Sequence, residues 1–280
     1  MTPRPPETSP PANDQRSYGR ANHAFFIALL GTAGIYPAVI TALVVSTVGY
    51  SGLQQLWAPW GDPALRYAAG LSLGSSLASG LLALTMATPC GYVLSRFPRR
   101  GTRFLDVLVY LPIVLPGLVI GVALLIFFQT GVGRFIEQHL MTFTFAIKGV
   151  ILAQTVVATA SATRIMKMAF DAVPMRRAQV ARTLGATRWQ AFWHVELAEA
   201  RAGLFEAYVL AWATAFGSFG PVVLFCGTTR FRTEILSASV FLEFSIGNLE
   251  RALAVSLWMG TLTGVVLLIA RGLPRKRALW

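Results

Sequence analysis

The chain has 280 residues, of which 55% are hydrophobic and only 13% charged, about half the charged share usual in a soluble domain. That much apolar surface cannot be hidden behind so few charges, so composition excludes a soluble globule, and equally excludes disorder for the bulk of the chain. Two cysteines are too few for a disulfide scaffold, and a net charge of +12 in a membrane chain raises the question of which side the cations occupy.

Residues 1–22 open the chain with five prolines among Ser, Asn and Asp, a composition that reads as a disordered cytoplasmic tail. The apolar run that follows is too long for the core of a signal peptide. Crossing the bilayer takes roughly 20 apolar residues. Charge-free runs predict six spans near 24–49, 67–94, 105–128, 146–166, 204–226 and 251–271. The runs are solidly apolar and lack the alternation of barrel strands. The expectation is therefore an all-α polytopic membrane protein. Its six-helix transmembrane domain is 23–272, with a basic tail at 273–280. The fourth run is the shortest, 15 residues, and needs Lys148, Arg164 and Lys167 to snorkel at its ends.

Counting Lys and Arg by side gives 18 on one face, including both tails, and 6 on the other. Cations cluster on the cytoplasmic side, so both termini are expected there. Cys90 then falls at the inner end of span two and Cys226 at the outer end of span five, too far apart to pair. His23, His139 and His194 fall outside the spans, and no phosphate-binding glycine loop is present. Neither an intramembrane enzyme nor ATP hydrolysis by this chain is expected, and no metal or cofactor. The spans carry no midplane charge of the kind ion-coupled transport uses. That points to energy supplied by a partner, and an autonomous secondary transporter is kept as the alternative reading.

Within the spans, Pro112, Pro116 and Pro221 predict kinks. Thr155, Thr159 and Thr163 share one face of span four. They serve either helix packing or a hydroxyl-lined translocation path, with Thr214 and Ser218 of span five as the facing wall. In the last outer connection a short helix is expected, and Arg230 and Arg232 are candidates either to meet acidic groups on a partner protein or to lie on the lipid headgroups.

The segment 171–203 between spans four and five is the most informative. Pro174 suits a helix start, Gly185 the left-handed residue after a helix, and Thr187 with Gln190 a capping box opening a second helix. Val180 and Leu184, then Trp189, Phe192, Trp193 and Leu197, are too much apolar surface for a free loop, so the segment should dock. A helix–Gly–helix with Arg is also the style of a DNA-binding unit. Spans that begin within about ten residues on each side block major-groove access, so no nucleic acid is expected.

This segment resembles the cytoplasmic EAA motif of ABC importer permeases, E-A-A-x3-G-x9-I-x-L-P. Gln179-Val180-Ala181, three residues, Gly185, nine residues and Val195-Glu196-Leu197-Ala198 keep its spacing. Gly185 and Leu197 match outright, Val195 replaces Ile, and Gln179, Val180 and Ala198 depart from the pattern. Pro89 to Arg96 and Leu111 to Gly121 also resemble the second and third spans of that superfamily. The resemblance implies a coupling element of Gln179, Val180, Ala181, Leu184, Gly185, Trp189, Phe192, Val195 and Leu197. It also implies a dimer of cytoplasmic ATPase subunits, a second permease subunit, a periplasmic solute-binding protein, and a place in the lipid of the bacterial inner membrane. Spans two, three and five look most similar in style to permeases for molybdate, tungstate or sulfate. Polyamine, thiamine and ferric-iron permeases are the other solute classes it implies.

Overall fold

The computed structural model describes residues 12–51, 61–97 and 100–272, and every regular element among them is helical. Helix α1 (Ala12–Ser51) forms a unit of its own. It begins at Ala12, so residues 12–22, expected as tail, are helical: after Pro10 and Pro11 the run Ala-Asn-Asp-Gln-Arg contains no breaker. Residues 1–11 and the expected basic tail 273–280 lie outside the described residues.

The second unit starts with α2 (Pro63–Arg96). Asp62 caps it by accepting from the Ala64 amide at 2.8 Å, with Pro63 in the first turn. The helix ends at Phe97, whose conformation is restricted by Pro98 behind it. Then follow α3 (Arg100–Val114), α4 (Gly117–Gln129), α5 (Gly131–His139) and α6 (Ile147–Ala172). A connecting segment, described below, leads into α10 (Arg201–Phe216), α11 (Gly220–Cys226), α12 (Leu236–Ser245) and α13 (Leu249–Gly272). Between α6 and α10 lie α7 (Met175–Thr183), α8 (Arg188–Ala191), a π-helical turn (Phe192–Glu196) and α9 (Leu197–Glu199).

Among the described residues four helices are long and apolar enough to cross a membrane, and up to six spans result if each of two bent pairs is one span. The third and fifth expected spans are not straight. Helices α3 and α4 meet at 114°, and α10 and α11 at 56°. Pro116 lacks an amide hydrogen and drives Leu115 out of helical conformation, which breaks the first pair. Gly217, Ser218 and Phe219 interrupt the second pair, just before Pro221.

At the centre, α6 packs most extensively on α2 and also on α10. The contact is made of small residues. Ala83, Ala87, Ala158, Ala162, Ala207, Ala211 and Ala215 are all fully buried. Without a hydrophobic force between helices in lipid, association rests on close backbone approach and interhelical hydrogen bonds. Both are present. Ser79 Oγ lies 3.0 Å from the Ile151 carbonyl and 3.1 Å from Gln154 Oε1, two acceptors for its one proton. This explains why span four had the shortest charge-free run. Over half of its most apolar window, 56%, is buried against other helices, so it faces less lipid than the others and tolerates polar residues.

The charge count makes a direct prediction about sidedness. In a chain with Cys90 and Cys226 replaced by alanine, a cysteine at exposed His139 should react with a membrane-impermeant maleimide added outside cells. A cysteine at exposed Arg182 should react only after permeabilisation. Labelling of position 182 from outside would invert the topology.

Candidate functional site

The segment 171–203 forms a helix pair at the junction of α6 and α10. Pro174 stands at the cap of α7 rather than inside its first turn. At the other end the Gly185 amide donates to the Arg182 carbonyl at 3.1 Å and the Ala186 amide to the Ala181 carbonyl at 3.0 Å, with Gly185 at φ 95°. This is the two-bond helix stop that a left-handed residue permits. The expected capping box follows. The Thr187 amide donates to Gln190 Oε1 at 2.9 Å, and the Gln190 amide to Thr187 Oγ1 at 3.2 Å.

The nine residues singled out in sequence separate into two groups. Gln179, Val180, Leu184, Gly185 and Trp189 face outward. Leu184 is 82% exposed and Trp189 70%, so an apolar tip projects from the turn. Ala181 is half-buried. Phe192, Val195 and Leu197 are half-buried too, and they anchor the element rather than extend the outward face. Phe192 and Leu197 pack on the alanine-rich core. The Phe192 ring meets Tyr92 edge-on with centroids 4.7 Å apart. A groove of about 640 Å³ lies between this anchored side and α2, bordered by Thr88, Tyr92, Phe97, Trp189 and Trp193.

Residues that sequence reading missed hold the element in place. Glu196, at the end of the π-helical turn, is buried. Its Oε1 accepts from Arg96 Nε at 2.9 Å and its Oε2 from Tyr92 Oη at 2.8 Å. Arg96 also donates to the Val173 carbonyl at 2.9 Å. Nearer the surface, Arg177 pairs with Glu199 at 2.7 Å, and Ser95 donates to Asp171 at 2.5 Å. Nothing in the sequence singled this cluster out, since Glu196 stands between His194 and Glu199 and its partner Arg96 lies 100 positions away.

The second feature is where the two broken spans meet. Gly117 at the start of α4 lies against the Pro221 ring, and Gly220 against the backbone of Gly117 and Leu118. A side-chain carbon on Gly117 would approach Pro221 Cδ to 2.9 Å, and one on Gly220 would approach the Leu118 nitrogen to 2.7 Å. Beside this joint is a cavity of about 430 Å³ lined by Pro112, Ser161, Thr214, Ser218 and their neighbours. Thr214 and Ser218 are thus together as expected. Thr155, Thr159 and Thr163 are not among the lining residues. Their hydroxyls each donate at 2.7 Å to the carbonyl four residues back, and Thr155 and Thr163 are buried among helices. From α6 the wall is instead Val157 and Ser161. Among the described residues, no charged group lines the cavity.

The last outer connection forms the expected short helix, α12, and the exposed Arg230 is engaged within the chain. It pairs with buried Glu243 at 2.9 Å, as does Arg251 at 3.5 Å, and Arg251 also pairs with Asp62. A buried carboxylate requires such partners, and the Arg230 side chain, 46% exposed, keeps an outward face beside the pair. Arg232 remains exposed. Burial pushes the Glu234 carboxyl above its ordinary range despite the hydrogen bond from Ser239 at 2.8 Å. Glu137 goes the other way: burial is outweighed by the Phe143 and Thr144 groups donating to it, and its pKa is lowered. Cys90 and Cys226 are unpaired thiols.

This all-helical membrane domain, with two jointed spans and a firmly rooted helix pair, has the fold of solved ABC transporter structures. Residues 80–277 match the family described as the binding-protein-dependent transport system inner membrane component. The molybdenum transport system permease protein ModB of Mycobacterium tuberculosis is 32% identical over 216 residues, covering 76% of this chain and 81% of the relative. The sulfate transport system permease protein CysT of Escherichia coli is 27% identical, covering 82% and 86%. Among solved structures, a bacterial alginate ABC transporter in complex with its alginate-bound periplasmic protein superposes with TM-score 0.70 at 15% identity, covering 90% of this chain and 93% of that one. The MetNI methionine ABC transporter gives TM-score 0.59 at 20% identity, covering 73% and 91%. The chain belongs to the binding-protein-dependent inner membrane component family and is a permease subunit of an ABC importer.

Proposed function

We propose that this permease carries a small oxyanion of the molybdate, tungstate or sulfate kind across the bacterial inner membrane, energised by a separate ATPase that docks on segment 171–203. The observation that carries the ATPase part is the outward apolar tip of Val180, Leu184, Gly185 and Trp189 on an otherwise basic helix pair. An exposed patch of that kind marks an interaction site. Since the chain has no phosphate-binding loop, ATP hydrolysis falls to the docked subunit.

Support for the oxyanion is chemical and comparative. Transport systems for molybdenum and sulfate supply the relatives named above. The cavity at the joint offers serine and threonine hydroxyls and no fixed charge. Neutral donors hold an anion weakly enough for release, which conduction demands. The solute arrives from a periplasmic binding protein, and a second permease subunit completes the path.

The solute class is tested by uptake competition. Uptake of radiolabelled molybdate by cells producing the complete transporter should fall with unlabelled tungstate or sulfate and be indifferent to spermidine, thiamine or ferric citrate. Competition by one of the latter group, with none from the oxyanions, would replace the oxyanion by that solute and leave the permease assignment untouched.

A further inference from the structure

One guanidinium group touches both roots of the helix pair. The chain leaves α6 at Val173, the residue that caps that helix, and approaches α10 through the π-helical turn ending at Glu196. Arg96, the last residue of α2, donates to the Val173 carbonyl at 2.9 Å and to the Glu196 carboxylate at 2.9 Å. The second carboxylate oxygen is taken by Tyr92, one helical turn earlier on α2, at 2.8 Å. The side chains of Arg96 and Glu196 are only 7% and 6% exposed.

We infer that Arg96 and Glu196, braced by Tyr92, form the strut through which movement of the helix pair is transmitted to α2. This rests on the reading of 171–203 as the ATPase-coupling element. Three observations carry it. The planar fork of arginine fixes direction as well as distance, because Nε and Nη2 bind different elements. The pair is buried, so neither ion can swing into water when the element moves, and a displaced Glu196 draws Arg96 with it. Finally, α2 shares its most extensive contact with α6 and also packs on α10, so force arriving at its end reaches both helices beside the cavity at the joint. The surface pair Arg177–Glu199, half exposed on the arginine side, ties α7 to α9 within the element and does not reach the bundle.

Arg96 is on this account a positioning residue, and the two roles it could have separate cleanly. Well-packed apolar residues often replace a buried ion pair without loss of stability. The double variant Arg96→Met with Glu196→Leu therefore removes the strut while keeping the packing. It is measured in the complete transporter, reconstituted with its ATPase and binding protein, by membrane abundance, ATPase co-purification, ATP hydrolysis and solute uptake. The expected result is normal abundance, ATPase retained and hydrolysing, and about tenfold less solute moved per ATP. Uptake per ATP equal to that of the unaltered protein overturns the strut, as does loss of ATPase binding, which would make the pair part of the docking surface instead. If the double variant fails to reach the membrane, Tyr92→Phe, which removes one hydrogen bond and no charge, gives the answer. A lowered uptake-to-hydrolysis ratio supports the strut and an unchanged ratio overturns it. Failure of the underlying coupling reading looks different: Gly185→Asp would then transport normally with its ATPase bound.

Discussion

Gly185→Asp should reach the membrane in normal amount, lose its ATPase on purification and transport no solute. Gly185 has φ 95° and nothing within 4 Å of where a side-chain carbon would sit. The substitution therefore produces no collision, only backbone strain of about 1 kcal/mol or more. That is too little to unfold a domain whose core lies elsewhere. What changes is the surface. A carboxylate now stands at the turn between Leu184 and Trp189, the two most exposed apolar side chains of the tip, and burying it unpaired against a partner is costly. Gln179→Glu, which places the family's usual residue at an exposed site, should be tolerated. The measurements are immunoblot abundance, co-purification of the ATPase and uptake. Normal transport with the ATPase bound would show that 171–203 is only an interfacial helix pair.

Gly91→Val should act in the opposite way, removing the protein rather than its activity. A side-chain carbon at Gly91 would lie 2.7 Å from Met166 Cβ and 2.8 Å from the Lys167 nitrogen. Those are backbone and near-backbone atoms of α6, which cannot step aside by changing a rotamer. The two helices must separate along their principal contact, at a cost of about 3 kcal/mol from overpacking. Membrane abundance and the thermal midpoint in detergent should both fall sharply. Gly74→Val, on the same helix but with open space around it, is the control and should leave both unchanged. Equal behaviour of the two variants would refute the close α2–α6 approach.

The two glycines also show what a single sequence discloses. Gly185 was legible because its reason is local: a helix stop and a capping box lie within a dozen residues of chain, and both formed as read. The apolar runs were legible because lipid imposes a length on them. Gly91 gave no signal, since its reason is Met166, 75 positions away in the chain. A separation of 100 positions likewise hid the Arg96–Glu196 pair, in which each residue taken alone reads as an ordinary charge near a span end. Prolines at 116 and 221 announced kinks, but neither the size of the bends, 114° and 56°, nor that the two breaks lie against each other. The threonine face of α6 illustrates a period read correctly and a role left open. Hydroxyls that can donate to the preceding turn do so, and the cavity wall is then drawn from the neighbouring face at Val157 and Ser161. Arg230 looked free because Glu243, 13 residues on, is brought back beside it only by the turn into α12.

The placement of α6 bears on how the protein is made. A helix leaving the translocon partitions into lipid according to its own apolarity, and α6 is the least hydropathic of the four long candidate spans, at 1.3 against 1.5 to 2.1. It carries Gln154 and a ladder of threonines that lipid solvates poorly. Its docking partner is already there, however: α2 emerges first, with Ser79 in position for Gln154 and a row of alanines for the rest. Synthesis order and packing order therefore coincide. The helix that would fare worst alone in the bilayer is never asked to wait there, and α10 closes over it as the next long helix to arrive.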